Sequence, residues 1–486
     1  HELLKEFVSP GFRPTAVLVS PVMATTSPPE SGSLDRFFRI TERGSSIRTE
    51  VIAGLVTFAT MAYILFVNPA VLGALEDSAG VQLQFGQVLT VTALAAAIGT
   101  IAMGLIGNVP FAIAAGLGLN AFVAYTLVGA RGLTWPSAMG VMVVEGLIIA
   151  LLVIVGLREK IMLAFPDGLR RAIGAGIGAF IAIIGLHDAG IVLSAPEGDS
   201  RVSIITGDLV SWHTAVFVFG LVLAAVLIVR GIKGALLISI IASTIFAIIV
   251  NSANDGTIWE NSASLPSSWV GTPDFSLVGA FNFDFVSALG FWTALAVVVA
   301  VMLSDFFDTM GTALALGRKS NLVDESTGSM PRLRQILLVD GLAASLGGAT
   351  SSSSNTTYIE SASGIGEGGR TGLTSMVTGI LFLLAMFLSP IAGVIPAEAT
   401  APALVIVGAL MLGQLKGIEW DDLGIALPAL LTVLIMPATY SITNGVGAGI
   451  VAYVVIAVLR GKPQSVHPLL YVVGALFVWY FIHGAI

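Results

Sequence analysis

Three carboxylates lie within or between strongly apolar stretches of this sequence. Asp305 and Asp308 lie three residues apart within 289–316, so on a helix they share one face, and Thr312 continues that stripe one turn later. Glu360 lies in a polar, Gly- and Ser-rich stretch, 351–374, between two strongly apolar segments. An ionised Asp at the centre of a membrane helix costs roughly 2.5–3.5 kcal/mol. Carboxylates kept against that cost indicate a site that accepts hydrogen bonds from a ligand or takes up protons.

Composition identifies the surrounding medium as a membrane. The 486 residues are 56% hydrophobic and 11% charged, whereas a soluble domain carries roughly 25% charged residues. Cys is absent, and the net charge of -8 disfavours nucleic acid as a partner. The five His show no metal-ligand spacing, and neither a phosphate-binding loop nor a hydrolase motif is present. We therefore expect a polytopic membrane protein that is not an enzyme and has no metal or cofactor.

Apolar stretches of about 20 residues predict membrane-spanning helices, and we predict fourteen segments in two sets of seven. The first set comprises 50–74, 84–106, 109–128, 135–156, 166–190, 212–230 and 233–251. The second set comprises 289–316, 334–350, 353–367, 371–395, 397–414, 424–439 and 442–460. A further stretch, 468–485, could span, re-enter or lie at the interface, and the sequence does not choose among these.

Basic residues predict the orientation of these segments. Lys and Arg precede the first helix and recur in the loops on that side, whereas the opposite side has Arg131 and Arg201. By the positive-inside rule the N-terminus is cytoplasmic, and we expect a location in the inner (plasma) membrane of the cell. The interval 251–282 has no Lys or Arg, as an external loop should. Met23 begins a stretch that reads as a natural start, so we expect residues 1–22 to be upstream sequence.

Two of the segments are poor continuous helices. An odd number of spans per half inverts the second half relative to the first, and 116–134 weakly resembles 355–374. Each contains Gly-rich or Ser/Thr-rich sequence before a helix that could begin near Asn120 or Glu360. We predict short strands that pair at mid-membrane and lead into half-helices, an arrangement that places ligand sites near the membrane centre.

Other polar residues complete a candidate pocket around the carboxylates. Asn120 stands at the predicted helix break in the third segment, and Thr57 faces the same region from the first. Thr57 and Tyr63 have a competing structural role, because Thr and Tyr in membrane helices commonly bond a neighbouring backbone. Glu367 lies nearer the cytoplasmic end and predicts an ion pair in a loop.

The chain closely resembles the AzgA-like purine permeases of the nucleobase/ascorbate transporter superfamily. The resemblance covers roughly residue 34 to the C-terminus, and four motifs in order make it specific. They are TFATMAYILFVNP (57–69), GLGLNAF (116–122), FDTMGT (307–312), and NTTYIESASG (355–364) followed by GRTGLT (369–374).

This resemblance implies a core domain and a gate domain that move against each other. Residues 1–47 form a cytoplasmic tail, and the core domain comprises 48–160, with segments one to four, and 283–395, with segments eight to eleven. The gate domain comprises 161–282, with segments five to seven, and 396–486, with segments twelve to fourteen and the last apolar stretch.

The resemblance also implies proton-coupled uptake of a purine base, with adenine favoured over guanine or hypoxanthine by the motif around Asn120. Asp308 and Glu360 match the family's acidic positions in segments eight and ten. Thr312 stands where relatives often have His, so a His-based proton relay is in doubt. We assign proton coupling to Glu360, Asp308 and Asp305.

The residue types agree with a planar heterocycle as the ligand. Carboxylates accept from ring N–H and amino groups of a purine, and apolar walls cover its faces. The walls that we predict are Phe58, Phe122, Phe307 and Tyr358, with backbone contacts near Leu119 and Ile359. Expected partners are the base, a proton and the lipid bilayer, and a homodimer is left open.

Three alternatives remain at this stage. A sulfate or bicarbonate transporter of the same architecture would require a positive field, which Asp308 and Glu360 oppose. An intramembrane aspartyl enzyme would use Asp305 and Asp308, yet a shared-proton pair usually takes its acids from two elements. A channel fits less well, since acids at interrupted helices suit a site that binds and releases its ligand.

Overall fold

The computed structural model describes residues 32–483 apart from 158–160, 162–163, 195–203, 260–261, 267, 324–329 and 393. The stretch 1–22 and Arg201, both used in the sequence analysis, lie outside the described residues.

Helices form from nearly all of the apolar stretches. In the first half they are α1 (Ser33–Phe38), α2 (Ile47–Met61), α3 (Ile64–Leu72), α4 (Phe85–Ala102), α5 (Leu117–Ala121), α6 (Trp135–Ile154), α7 (Asp167–Asp188), α8 (Trp212–Val229) and α9 (Ala235–Ala253). In the second half they are α10 (Phe285–Leu289), α11 (Phe291–Lys319), α12 (Leu333–Ala349), α13 (Ser361–Gly366), α14 (Gly372–Ala385), α15 (Ser389–Ala392), α16 (Ala397–Leu412), α17 (Leu423–Ala438), α18 (Ile442–Leu459) and α19 (Pro468–His483). Turns of π-helix at Met103–Gly107 and Phe122–Ala130 continue α4 and α5. The prediction of an all-α membrane protein is confirmed.

Ten helices in the described part of the chain are long and apolar enough to span a membrane. Shorter elements correspond to the other predicted segments, so the exact count of fourteen stays a prediction. The first segment is interrupted between α2 and α3, where Ala62 and Tyr63 separate the two helices. The last apolar stretch forms α19, a helix of 16 residues that packs on α18 and α11.

Strands β1 (Ile113–Ala115) and β4 (Asn355–Thr357) cross in the interior and pair antiparallel, with Ala114 opposite Thr356. Beyond the strands, the Gly116 N–H donates to the Ser354 carbonyl at 2.9 Å. Irregular backbone at membrane depth must find its partners within the protein, because no water is available there. The predicted strands and half-helices in segments three and ten are thus confirmed, although α5 begins three residues before Asn120.

A second small sheet, which the sequence analysis did not predict, pairs β2 (Val192–Ser194) with β3 (Ile204–Thr206). It follows the end of α7 and precedes α8. Both strands are three residues long, so they carry little of the alternating pattern by which strands are recognised.

The helices of the two halves interleave in two bundles. We define the first bundle as α2–α6 with α11–α14 and the second bundle as α7–α9 with α16–α18. Small residues allow close approach in both: a Cβ at Gly146 in α6 would lie 2.2 Å from the Ser345 nitrogen in α12, and one at Gly408 in α16 would lie 2.4 Å from the Gly178 carbonyl in α7. Helix association in membranes depends on such packing. This interleaving is the arrangement expected of two inverted repeats.

The half-helix α13 offers a matched test of this packing. A Cβ at Gly364 would lie 2.1 Å from Thr57 Oγ1 and 2.4 Å from the Ala53 carbonyl, whereas one at Gly366 meets nothing within 4 Å. We expect Gly364→Ala to destabilise the fold by about 1–3 kcal/mol, because it forces α13 away from α2. Gly366→Ala should leave the thermal unfolding temperature of the purified protein unchanged. Equal stability of the two variants would contradict the close contact between α13 and α2.

Candidate functional site

A cavity lies where the β1–β4 crossing in the first bundle meets the second bundle. Its inner part has a volume of about 100 Å³ and continues into a vestibule of about 660 Å³. The inner part is lined by Tyr63, Gly116, Leu117, Gly118, Leu119, Ile177, Ser304, Asp305, Asp308, Thr312, Thr356, Thr357, Tyr358, Ile359, Glu360, Val407 and Met411. The vestibule adds residues from the start of α7, including Asp167, Arg170 and Arg171.

Asp308 and Glu360 line both the inner part and the vestibule. Asp308 comes from the long helix α11, and Glu360 stands immediately before α13. The Tyr63 hydroxyl donates to Glu360 Oε1 at 2.7 Å from the break between α2 and α3. Two carboxylates therefore face one hollow, and a tyrosine holds one of them in place.

One face of α11 forms an edge of this cavity. Ser304, Asp305, Asp308 and Thr312 recur at intervals of one, three and four residues, and all four line the inner part. The polar stripe that the sequence predicted on this helix therefore faces the cavity.

Four more predicted residues also reach the cavity. Leu119, Tyr358 and Ile359 line its inner part, and the Tyr358 hydroxyl donates to the Ala115 carbonyl in β1. Phe307 lines the vestibule, where its ring packs edge-on against Phe165 with centroids 5.1 Å apart. Tyr358 thus combines an apolar ring near the ligand space with a polar group bonded to the strand.

Four residues of the predicted pocket are not among the residues that line the cavity in this structure. Asn120 is fully buried, and its Nδ2 donates to Asn68 Oδ1 at 3.0 Å, because α5 turns this side chain toward α3. Thr57 packs beneath α13, where its Oγ1 faces Gly364.

The remaining two are aromatic. Phe58 packs on Phe382 of α14 with ring centroids 5.2 Å apart, and Phe122 is buried in the apolar core. The rotation of a helix about its axis decides which way a ring points, and the sequence did not determine that rotation relative to the cavity.

The second bundle supplies an apolar wall that the sequence analysis missed. Ile177 comes from α7, and Val407 and Met411 come from α16. These residues sit in continuous apolar helices and resemble their lipid-facing neighbours in type. Only tertiary packing distinguishes them.

A layer of buried acids lies behind the cavity and was also missed. Asp340 in α12 accepts from the Thr357 N–H at 3.0 Å, from Thr357 Oγ1 at 2.7 Å and from Thr309 Oγ1 at 2.7 Å. Glu145 in α6 accepts from Ser354 Oγ at 3.2 Å and interacts with Asp305. Each is a single carboxylate in an apolar run, the signal already used for Asp308, so the sequence could have indicated both.

The two ends of the cavity differ. On the side where α7 ends, the bundles touch directly: Tyr125 Oη donates to Asp188 Oδ1 at 3.3 Å, and Thr126 Oγ1 donates to the Tyr440 carbonyl at 2.8 Å. On the side where α7 begins, the vestibule separates them. The cavity is therefore open at one end.

On that open side an ion pair also joins the bundles. Glu367, which follows α13, pairs with Lys233, which precedes α9. The ion pair predicted for Glu367 is present, and it connects the two bundles rather than neighbouring residues of one loop.

The Xan_ur_permease model, which describes a permease family, matches residues 48–447. The chain belongs to this permease family. It is similar to the guanine/hypoxanthine permease PbuG of Bacillus subtilis, with 39% identity over 92% of this chain and 99% of that protein. It is also similar to the adenine permease AdeP of Escherichia coli, with 38% identity over 93% of this chain and 97% of that protein.

Solved structures of other transporters are similar to the permease in fold. The transmembrane domain of the cyanobacterial bicarbonate transporter BicA superposes with a TM-score of 0.55 at 14% identity, covering 84% of this chain and 97% of that one. Murine Slc26a9, an anion transporter in its inward-facing state, gives a TM-score of 0.56 at 12% identity, covering 92% and 77%. The likeness supports the inverted-repeat architecture and says nothing about the substrate.

Membership of the family establishes that the permease is a multi-pass membrane transporter and not an enzyme. Among the residues that the structure describes, no group of three or more His, Cys, Asp and Glu side chains is arranged to hold a metal ion. The groups that the inner cavity offers to a ligand are carboxyl groups, hydroxyl groups and apolar side chains.

Because the chain contains no Cys, a single introduced Cys can report which end of the cavity is open. We expect Thr312→Cys to react with a charged thiol reagent faster from one side of sealed membrane vesicles than from the other, because the vestibule reaches Thr312 from one side in this conformation. Thr378→Cys is the control, since Thr378 is fully buried between α14 and α2 and should not react. Labelling of Thr312→Cys with equal rates in vesicles of both orientations would contradict the closed end.

Proposed function

We propose that the permease imports a purine nucleobase together with a proton, by exposing the cavity alternately to the two sides of the membrane. The observation that carries the proposal is the shared cavity of Asp308 and Glu360 at the crossing of the two interrupted segments. Relatives named as guanine/hypoxanthine and adenine permeases match more than nine tenths of the chain. Because both kinds match equally well, we propose the purine class and leave the individual base to experiment.

The chemistry of the cavity suits a flat base. Asp308 and Glu360 accept hydrogen bonds from ring N–H and amino groups, and such charge-assisted bonds are stronger than neutral ones. Tyr63 fixes one carboxylate oxygen of Glu360 and leaves the other for the ligand. Tyr358 and the apolar side chains of Leu119 and Met411 surround the ring faces.

We propose that the first bundle is the core domain and the second bundle the gate domain, with the sequence boundaries given above. The cavity lies between them, so sliding or rocking of one bundle against the other would open its closed end. The bonds from Tyr125 to Asp188 and from Thr126 to Tyr440 would then break. The ion pair between Lys233 and Glu367 would also rearrange.

The open end carries Arg170 and Arg171 at its mouth and Lys233 beside Glu367. By the positive-inside rule this end faces the cytoplasm. We therefore propose an inward-facing state with the N-terminus in the cytoplasm of a plasma membrane. In this state the cavity would release its ligand into the cell.

Proton coupling follows from the same carboxylates. An acid in a partly dry cavity favours its neutral form, and a base that hydrogen bonds one protonation state better than the other links the two binding events. Glu360, Asp308 and Asp305 line the cavity and are the groups that we propose for this role.

Transport of an inorganic anion is the rival for this fold. BicA is described as a bicarbonate transporter, but the described residues that line the inner cavity here include three acids and no Lys or Arg, so they do not supply the positive field that an anion requires. The uptake assay that follows distinguishes the two, since only a nucleobase transporter should accumulate purines.

Replacing either acid should abolish most uptake. Asp308→Asn and Glu360→Gln each remove a charged acceptor, whose hydrogen bond is worth roughly 1.5–3 kcal/mol. We expect uptake of labelled purine at low concentration to fall about ten- to a hundredfold. The measurement is initial uptake of adenine, guanine and hypoxanthine into cells that lack their own permeases. Glu419→Gln, at an exposed carboxylate, is the matched control, and normal uptake by either acid variant would remove that residue from the site.

Uptake should also depend on the proton gradient. We expect a protonophore to abolish accumulation of the base above its external concentration while leaving slow equilibration intact, because the gradient supplies the free energy in a symporter. The measurement is the steady-state ratio of internal to external labelled base. Accumulation that resists the protonophore would contradict proton symport and leave purine transport standing.

A further inference from the structure

Glu145 is a buried carboxylate with an unsatisfied oxygen. Its side chain is fully buried in α6, and Ser354 donates to Oε2. Oε1 has no hydrogen-bond donor among the described residues. A buried ionised carboxylate without its hydrogen bonds is strongly unfavourable. The missing donor therefore requires an explanation.

The charged groups that face Glu145 are Asp305 from α11 and, less closely, Asp340 from α12. Asp340 has the hydrogen-bond donors that an ionised carboxylate needs. Thr357 and Thr309 supply three hydrogen bonds to its two oxygens. Asp305 is a carboxyl like Glu145 and interacts with it directly. A proton on one member of this pair supplies the donor that Oε1 lacks.

Two adjacent carboxylates in an apolar interior do not both ionise, and they titrate as a pair. The two members here have different surroundings. Asp305 lines the inner cavity, whereas Glu145 is not among the residues that line it. The state of the cavity therefore acts on the pair through Asp305 alone.

We propose that Glu145 and Asp305 share one proton and that this proton is the one transported with the substrate. The proposal rests on the proton symport proposed above and adds a residue outside the binding cavity. A base in the cavity excludes water from Asp305, so the pair holds the proton. When water replaces the base on the cytoplasmic side, Asp305 is hydrated and the proton leaves. Binding of base and binding of proton thus favour each other.

The test uses the full chain reconstituted in liposomes, with adenine as the labelled base, or hypoxanthine if adenine is not transported. Two quantities are measured: exchange of internal for external base at equal pH, and accumulation driven by an inward proton gradient. We expect Glu145→Gln to retain exchange and to lose about tenfold or more of the gradient-driven accumulation, within the usual range of coupling between two ligands. Its uptake should also lose the pH dependence of the wild type.

Glu398→Gln is the matched control. Glu398 is a largely buried glutamate in α16 that hydrogen bonds to His213 and Trp259 and is not among the residues that line the cavity. This variant should therefore keep wild-type coupling. A merely structural role for Glu145 would lower exchange and accumulation together. That outcome, or wild-type accumulation and pH dependence in Glu145→Gln, overturns the proposal.

A second measurement follows the proton directly. Adding the base to purified protein in weakly buffered detergent solution should cause proton uptake, reported by a pH-sensitive dye, in the wild type and not in Glu145→Gln. Asp305→Asn, which removes the other member of the pair, replaces Glu145→Gln if that variant does not fold. Proton uptake that is unchanged in the variant overturns the proposal. A wild type that shows no purine transport contradicts the proposed function instead.

Discussion

The structure depends on satisfying backbone groups at a depth where lipid offers no partner. Segments three and ten each give up helical hydrogen bonds at mid-membrane, and β1 and β4 replace them by pairing with each other. The same crossing brings Gly116 and Tyr358 to one cavity and places Glu360 immediately before α13. Interrupting two helices therefore creates the site, and pairing the two interruptions stabilises it.

Buried acids divide into groups with different surroundings. Asp308 and Glu360 face the open cavity, whereas Asp340 lies behind it among hydroxyl and backbone donors that hold the β4 strand. Asp305 connects the two environments, because it lines the cavity and also meets Glu145. Acids of one chemical type are thus suited to ligand binding, to structural support or to holding a proton according to the donors around them.

A polar contact joins the two bundles at each end of the cavity. Tyr125 with Asp188 closes one end, and Lys233 with Glu367 bridges the other. The apolar wall formed by Val407 and Met411 contributes shape without directional bonds to the first bundle. The polar contacts at the two ends are compatible with relative movement, since a few hydrogen bonds exchange at modest net cost.

The sequence alone determined the membrane environment, the largely helical fold, the crossing strands and the stripe of α11, because hydropathy, helical periodicity and charge in an apolar run are local properties. It also determined membership of a permease family through motifs that retain their order. Only the tertiary structure decided that Asn120, Thr57 and Phe58 turn away from the cavity and that the second bundle supplies its apolar wall. Those facts depend on the rotation and docking of helices, which arise from packing between residues distant in the chain. The sequence contained the signal for Glu145 and Asp340 as carboxylates in apolar runs, but their partners became visible only when α6, α11 and α12 were brought together.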